Sequence, residues 1–470
     1  VVGLGQGFGQ ALSFVRNVIV ARLLGPEDFG IAATFALTLS LLEMISDLGT
    51  DKLIIQAQDG DDPRLQATAQ LWHFTREAFG AVLIIALAWP LAAVFGVPHA
   101  RWAFYWLALV PLLRGLLHLD IKRLQRHMRF GPQVLSELGS QVLATILAWP
   151  LAYWLRDYSA MLWIVIAQTG VFALCTHMCA ARPYRWCGDR AMVARLFVFG
   201  WPLLINSLLM FGVFQGDRAI VGALYSMRDL GLYAAAMALA MAPATLLGSI
   251  ISSVTFPLLS RVQADRVEFE HRYGVCSGAL SCVAGALVIV LVIAGPRILI
   301  LTFGESFSVA GRCLALLAAA QSVRLLRVGT TVAAMSLGDT VNSMWSNAWR
   351  VTGIGGVIVV AVCGLPLHWI AAAALFGEVL ALLYSLLRLS QQHKIRSDTC
   401  LWPALAAAPT AAAAFAVPAF STVGGVYGSG LVAVGLIVCC VMLVLVASTG
   451  LRREIGRLWP RRMAPARITE

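Results

Sequence analysis

Charge is what this chain has least of. Asp, Glu, Lys and Arg make up 13% of its 470 residues, 59% are hydrophobic and the mean hydropathy is +0.80. A soluble domain carries about 25% charged residues, so a water-soluble globule is excluded and a polytopic membrane protein is implied. Metal and redox motifs are missing as well. There is no CxxC pair and no HExxH among ten Cys and eight His. Most of the Cys sit in or beside apolar runs, where Cys behaves as a small hydrophobe. His118, His177 and His368 fall at the ends of apolar runs, as interfacial anchors do. No cofactor or metal is expected. The Gly3, Gly5, Gly7, Gly9 series lacks both GxGxxG and GKT/S and follows no strand, which excludes a phosphate loop and leaves close helix packing through small residues. No basic n-region with a cleavage site precedes the first apolar run, so no cleavable signal is expected. Because the sequence opens on Val1 rather than Met, the first span is expected to begin slightly earlier.

What the chain does have is long apolar runs. Stretches of roughly 17–25 residues are long enough to cross a bilayer. They fall at Phe8–Leu24, Phe29–Leu48, Glu77–Phe95, Trp102–Leu119, Val134–Leu155, Ala160–Ala181 and Leu196–Phe214. The series continues at Leu230–Phe256, Val275–Gly295, Leu314–Leu337, Val351–Leu365, Trp369–Leu389, Leu401–Phe420 and Leu431–Ser448. The expected fold is therefore all-α with about fourteen transmembrane helices. Alternate loops are basic: Lys122 to Arg129, Arg182 to Arg195, Arg261 to Arg272, Lys394 with Arg396, and a tail containing Arg452, Arg453, Arg457, Arg461 and Arg462. The loops between them, around Pro98, Asp157, Pro296, Pro366 and Gly424, are short and nearly bare. By the positive-inside rule both termini then lie in the cytoplasm. The net charge of +11 belongs to these loops and not to a nucleic-acid surface. The basic segment Lys122–Arg129 is expected to lie on anionic headgroups.

The chain also repeats. A gapless shift of 201 residues carries Ile19, Val20 and Leu23 onto Ile220, Val221 and Leu224, and Asp28, Gly30 and Ala33 onto Asp229, Gly231 and Ala234. It carries Arg16 onto Asp217. A shift across six helices preserves orientation, so the halves are parallel repeats about an axis along the membrane normal. The expected organisation is a six-helix lobe at 1–181, a basic cytoplasmic linker at 182–195, a second six-helix lobe at 196–390, and an extra helix pair with a basic tail at 391–470. The last pair, poor in polar residues, is expected to face lipid or another lobe.

Ionisable residues inside spans are costly and mark functional interiors by default. They are Arg16, Glu43, Asp47, Arg114, Glu137, Asp217, Arg218, Arg324, Arg327 and Glu378. Gln6, Gln10, Ser13 and Asn17 recur at helical spacing beside Arg16, giving the first span a polar face. Asn206 and Gln215 make the seventh span polar in the same way. A packing role predicts mutual pairs, Asp217 with Arg218 and Arg114 with Glu137. An excess of interior arginine instead suits an anionic cargo, because guanidinium binds phosphate bidentately. Arg16, Asn17, Arg114, Arg218, Arg324 and Arg327 are the expected cargo-binding residues. Glu43, Asp47, Glu137 and Asp217 are candidate coupling or counter-charge sites.

The segments ARLLGPEDFG (Ala21–Gly30), DRAIVGALYSMRDLGLYAAA (Asp217–Ala236) and FPLLSRVQAD (Phe256–Asp265) resemble the polysaccharide-transport, Wzx-like flippases of the multidrug/oligosaccharidyl-lipid/polysaccharide superfamily. The resemblance extends over essentially the whole chain. It implies a two-lobed helical bundle around a cavity that opens alternately to each side, in the bacterial inner membrane. It further implies that undecaprenyl-diphosphate-linked oligosaccharide is moved to the periplasmic leaflet for surface polysaccharide synthesis, with Arg16 and Arg218 lining a cationic cavity. A downstream polymerase and export machinery are the expected partners. The alternatives are a cation-coupled drug antiporter of the same superfamily and, more distantly, a polysaccharide polymerase or ligase. The enzyme reading lacks the large outward loop such enzymes need, so a non-enzyme is expected.

Overall fold

The computed structural model describes residues 2–46, 48–396, 398–420, 425–448 and 451–452, and its regular structure is entirely helical. In chain order the helices are α1 (Val2–Leu24), α2 (Pro26–Ser46), α3 (Thr50–Gln56), α4 (Pro63–Val94), α5 (Arg101–Leu107), α6 (Leu109–Gly115), α7 (Asp120–Arg126), α8 (Gly131–Leu155) and α9 (Ser159–Cys179). They continue as α10 (Arg190–Leu224), α11 (Met227–Ser260), α12 (Arg266–Ile293), α13 (Gly295–Phe303), α14 (Gly311–Ser336), α15 (Val341–Val362), α16 (Leu367–His393), α17 (Asp398–Phe420) and α18 (Gly425–Ala447). Each expected span coincides with a helix, the fourth being shared by α5 and α6. Among the described residues nine helices are long and apolar enough to cross a membrane, or up to eleven if each of two bent pairs is one span. This is a multi-pass membrane protein.

Helix ends follow local chemistry that hydropathy does not register. α4, α10 and α12 start well before their apolar stretches, each with an Asp at the N-cap. Asp62 accepts from the Arg64 amide at 2.8 Å, Asp189 from Ala191 at 2.9 Å, and Asp265 from Val267 at 3.0 Å. Such a side chain satisfies amides that the first helical turn leaves orphaned. The fourth span breaks between α5 and α6 at Ala108. Pro111 has no N–H for the Leu107 carbonyl one turn back, so the α-helical ladder is interrupted there.

Contacts divide the chain into two compact units, Val1–Ala235 with Thr302–Phe307 and Ala236–Leu301 with Ser308–Glu470. In the first unit α1 packs along α8, with Gly5 against Val134 and Gly9 against Leu138, as small residues permit. The repeat has a structural counterpart here. A Cβ on Gly30 would stand 1.8 Å from the Met227 carbonyl oxygen and 3.0 Å from the Gly231 nitrogen. A Cβ on Gly231 would stand 1.8 Å from the Pro26 carbonyl oxygen and 3.0 Å from the Gly30 nitrogen. Pro26 and Met227, like Gly30 and Gly231, are separated by the repeat shift of 201. The first turns of α2 and α11 thus meet backbone to backbone about a local two-fold, and only glycine fits at its centre.

The basic helix α7 is held by protein. Lys122 pairs with Asp51 at 3.2 Å, and Arg126 and His127 reach Asp61 at 3.4 and 2.7 Å. Arg126 also donates to the carbonyls of Ile55, Ala57 and Gln58 at the end of α3. Beside any contact with headgroups, part of this segment's charge is thus met within the protein, by Asp51 on α3 and by Asp61 of the acidic loop AQDGDD. Arg195 at the start of α10 joins the same loop through a two-pronged contact with Asp59 at 2.6 and 2.9 Å.

In the second unit α14, α15 and α16 pack tightly. A Cβ on Gly353 would lie 3.0 Å from Gly377 Cα, so α15 and α16 meet through paired glycines. The last helix pair, α17 and α18, packs on α12, with Ala407, Cys440 and Val444 against Val288, Ile289 and Val292. Its opposite face exposes Leu431, Val434 and Val446, as a lipid-facing surface does.

Candidate functional site

Arg16 sits midway along α1 and is 8% exposed. Its Nη1 donates to Oε1 of Gln168 on α9, and its Nη2 to Ser13 Oγ at 3.1 Å, one turn back on its own helix. Its Nε is buried without a hydrogen-bond partner, and no carboxylate pairs with it among the described residues. A buried guanidinium held only by neutral groups keeps its whole charge in a low-dielectric surrounding, which makes it a strong attractor of an anion. Asn17, next along α1, is half-buried.

The other charges of the first unit have separate partners. Arg114 on α6 binds Glu43 on α2 at 2.9 Å, in a half-open position. Glu137 accepts instead from Gln133 on its own helix at 2.8 Å. The expected Arg114–Glu137 pair is therefore corrected, because α2 brings its acid to α6. Arg76 and Glu77, both on α4, bind each other at 2.7 Å, and His73 Nε2 contacts the Arg114 carbonyl at 3.0 Å. On α10, Arg218 Nη1 donates to Gln215 at 3.2 Å. Asp217 takes a 2.6 Å hydrogen bond from the buried Tyr233 hydroxyl and accepts the Arg218 backbone amide at 2.8 Å. Asp47 lies outside the described residues, and Asn206 and Gln6 outside the described side chains.

The second unit concentrates charge on one acid. Glu378 of α16, 3% exposed, receives Arg327 Nε from α14 at 3.2 Å and Arg350 Nε from α15 at 2.6 Å. Arg327 also donates to Ser346 Oγ at 3.1 Å and Asn347 Oδ1 at 3.0 Å. Arg324, one turn back on α14, feels the charges of Arg350, Glu378 and Arg327. Three helices are therefore tied by a carboxylate that bridges two guanidinium groups, with a net positive surplus.

Two residues of these sites escape sequence reading. Arg350 stood just outside the expected eleventh span, although Asn342, Ser346 and Arg350 recur at four-residue steps and mark a legible polar face. Gln168 gave no signal: it is one amide in an apolar run, and its meeting with Arg16 bridges 152 residues of sequence.

The chain is a membrane-spanning helical protein with an internal repeat and with arginines in its interior. Its overall arrangement is similar to the lipid II flippase MurJ in an inward closed conformation, with a TM-score of 0.73 and 13% identity over 97% of this chain and 99% of that one. It is also similar to a multidrug resistance MATE family transporter of the MOP superfamily in an inward-facing conformation, with a TM-score of 0.65 and 14% identity over 82% and 96% of the two chains. The chain belongs to the polysaccharide biosynthesis protein family, whose profile matches residues 19–311. Among curated relatives it is 26% identical over 322 residues to the succinoglycan biosynthesis transport protein ExoT of Rhizobium meliloti, covering 66% of this chain and 63% of that protein. It is 20% identical over 318 residues to an uncharacterized membrane protein in the cps region of Klebsiella pneumoniae, covering 67% and 65%. The matched region thus spans less than two thirds of either relative.

Proposed function

We propose that this chain is a flippase that carries undecaprenyl-diphosphate-linked oligosaccharide across the bacterial inner membrane by alternating access, for synthesis of a surface polysaccharide. The observation that carries this reading is Arg16, a buried cation on α1 whose partners among the described residues are the neutral Gln168 and Ser13. A resident charge left unbalanced is best explained by an anion that comes and goes, and a diphosphate supplies two adjacent anionic groups for guanidinium recognition. Arg218 and Arg114 are the supporting cations, with Asn17, next to Arg16 on α1, in the same set. Arg324 and Arg327 belong to the same cargo-binding set in a secondary role, because Glu378 already engages Arg327. The family and the transport role in the name of the Rhizobium relative support polysaccharide export. The MurJ-like fold supports a lipid-linked cargo.

The two lobes at 1–181 and 196–390, the linker at 182–195 and the appended pair are proposed as the moving parts, with both termini in the cytoplasm. Membrane lipid would accommodate the isoprenoid tail, and a polymerase would receive the product outside. A cation-coupled antiporter is favoured only by the MATE-like fold. Its chemistry asks for accessible acids, whereas Glu77 and Glu378 are buried against arginine, Glu43 is paired with Arg114, and Asp217 is bound by Tyr233. Glu43 and Asp217 are therefore assigned as counter-charges, whereas Glu137, which accepts from the neutral Gln133, stays a candidate for either role. The test is the sidedness of lipid-linked oligosaccharide in cells depleted of the protein. Accumulation on the cytoplasmic leaflet with loss of surface polysaccharide is the expected result. Normal export with changed drug tolerance would favour the antiporter, and unpolymerised repeat units already outside would favour an enzyme.

A further inference from the structure

Gln168 holds a guanidinium where a glutamate would satisfy the same geometry. Glu and Gln are nearly isosteric, and the atom that accepts from Arg16 is the one oxygen of the amide, since the amide nitrogen only donates. A carboxylate there would keep that hydrogen bond and cancel a buried charge that is costly to hold in a low-dielectric surrounding. The second unit contains that neutralising arrangement, with Glu378 on Arg327 at 3.2 Å. At Arg16 the chain instead leaves the charge in place and leaves the buried Nε edge without a partner.

We propose that Gln168 is a positioning residue that presents Arg16 to the cargo as a fixed, uncancelled cation. This rests on Arg16 being the phosphate-binding group proposed above. The amide oxygen anchors one terminal nitrogen and Ser13 anchors the other, so the guanidinium is held in place while its charge stays uncancelled. Position 168 thereby decides between a stable neutral pair and a binding site.

The full chain in lipid nanodiscs provides the test, with geranylgeranyl diphosphate as the probe and geranylgeraniol as the uncharged control. Affinity and thermal unfolding are read together for Gln168→Glu, Gln168→Met and Arg16→Gln. Gln168→Glu is expected to weaken diphosphate binding by about tenfold or more while raising the unfolding temperature, and that rise should vanish when Arg16→Gln is also present. Gln168→Met keeps the charge but loses the anchor, so it should weaken diphosphate binding without the thermal gain. Wild-type diphosphate affinity in Gln168→Glu, or in Gln168→Met should the first variant fail to fold, overturns the role of Gln168. Wild-type affinity in Arg16→Gln overturns the cargo site itself. Loss in Arg16→Gln with full binding in both Gln168 variants removes only the positioning role.

Discussion

Arg16 in the first unit and Arg327 in the second are both more than nine-tenths buried within long helices, yet they are seated in opposite ways. Arg327 has Glu378, Ser346 and Asn347, drawn from two neighbouring helices. Arg16 has Gln168 and Ser13, both neutral. A guanidinium with a carboxylate partner behaves as a structural tie, since removing either member strands the other in low dielectric. A guanidinium among neutral acceptors keeps its hydrogen bonds but not a cancelling charge, and the cargo-binding role proposed for Arg16 rests on that difference. Burial and residue type are the same; the formal charge of the partner is what differs.

The largest effect is expected at the joint. Glu378→Gln strands Arg327 and Arg350 together and should cost about 3–5 kcal/mol, measured as lost folded yield and a lower unfolding temperature in detergent. Full stability would show that the carboxylate is not what ties α14, α15 and α16. Arg16→Met should do the reverse. Transport should fall below detection in a surface-polysaccharide assay, while stability holds or rises by about 1–3 kcal/mol as an unbalanced span charge is removed. Equal destabilisation of the two variants would erase the contrast between the seats. A finer test adds Arg350→Gln to Glu378→Gln. Removing one stranded cation should recover about 0.5–3 kcal/mol, and strict additivity would show that the three charges do not act as a unit.

The smallest effect lies outside the bilayer, in the acidic loop. The His127 hydrogen bond, followed by the charges of His127, Arg126 and Arg123, holds the Asp61 carboxyl below its ordinary value of 3.8. A carboxyl depressed in the folded state contributes stability above its unfolded value and loses it as pH falls through the folded one. A modest loss of thermal stability is therefore expected below about pH 4, and it should be smaller in Asp61→Asn. An unchanged acid profile in that variant would remove Asp61 from the network that fastens α7.

Much of the fold was legible along the chain. Every expected apolar run coincides with a helix, and the faint 201-residue repeat reappears as the reciprocal contact of Gly30 and Gly231. Helix starts were less legible, because Asp62, Asp189 and Asp265 extend α4, α10 and α12 beyond their apolar stretches. The interior charges were legible as a set but not as pairs. Arg114 was expected on Glu137 and meets Glu43, while Arg350 and Gln168 went unassigned.

The division has one physical cause. In a bilayer each helix must satisfy its own backbone hydrogen bonds, so the presence and approximate length of a span are local properties that composition alone determines. The repeat, too, is written locally, twice. Which side chains meet depends on the rotation of each helix about its axis and on the order of its neighbours, and these are set by packing of residues such as Gly5 on Val134 and Gly353 on Gly377. Sequence by itself therefore determined a multi-pass helical membrane protein with arginines in its interior. Only the tertiary structure decided that Arg327 would be cancelled by Glu378 and that Arg16, seated on Gln168, would not be.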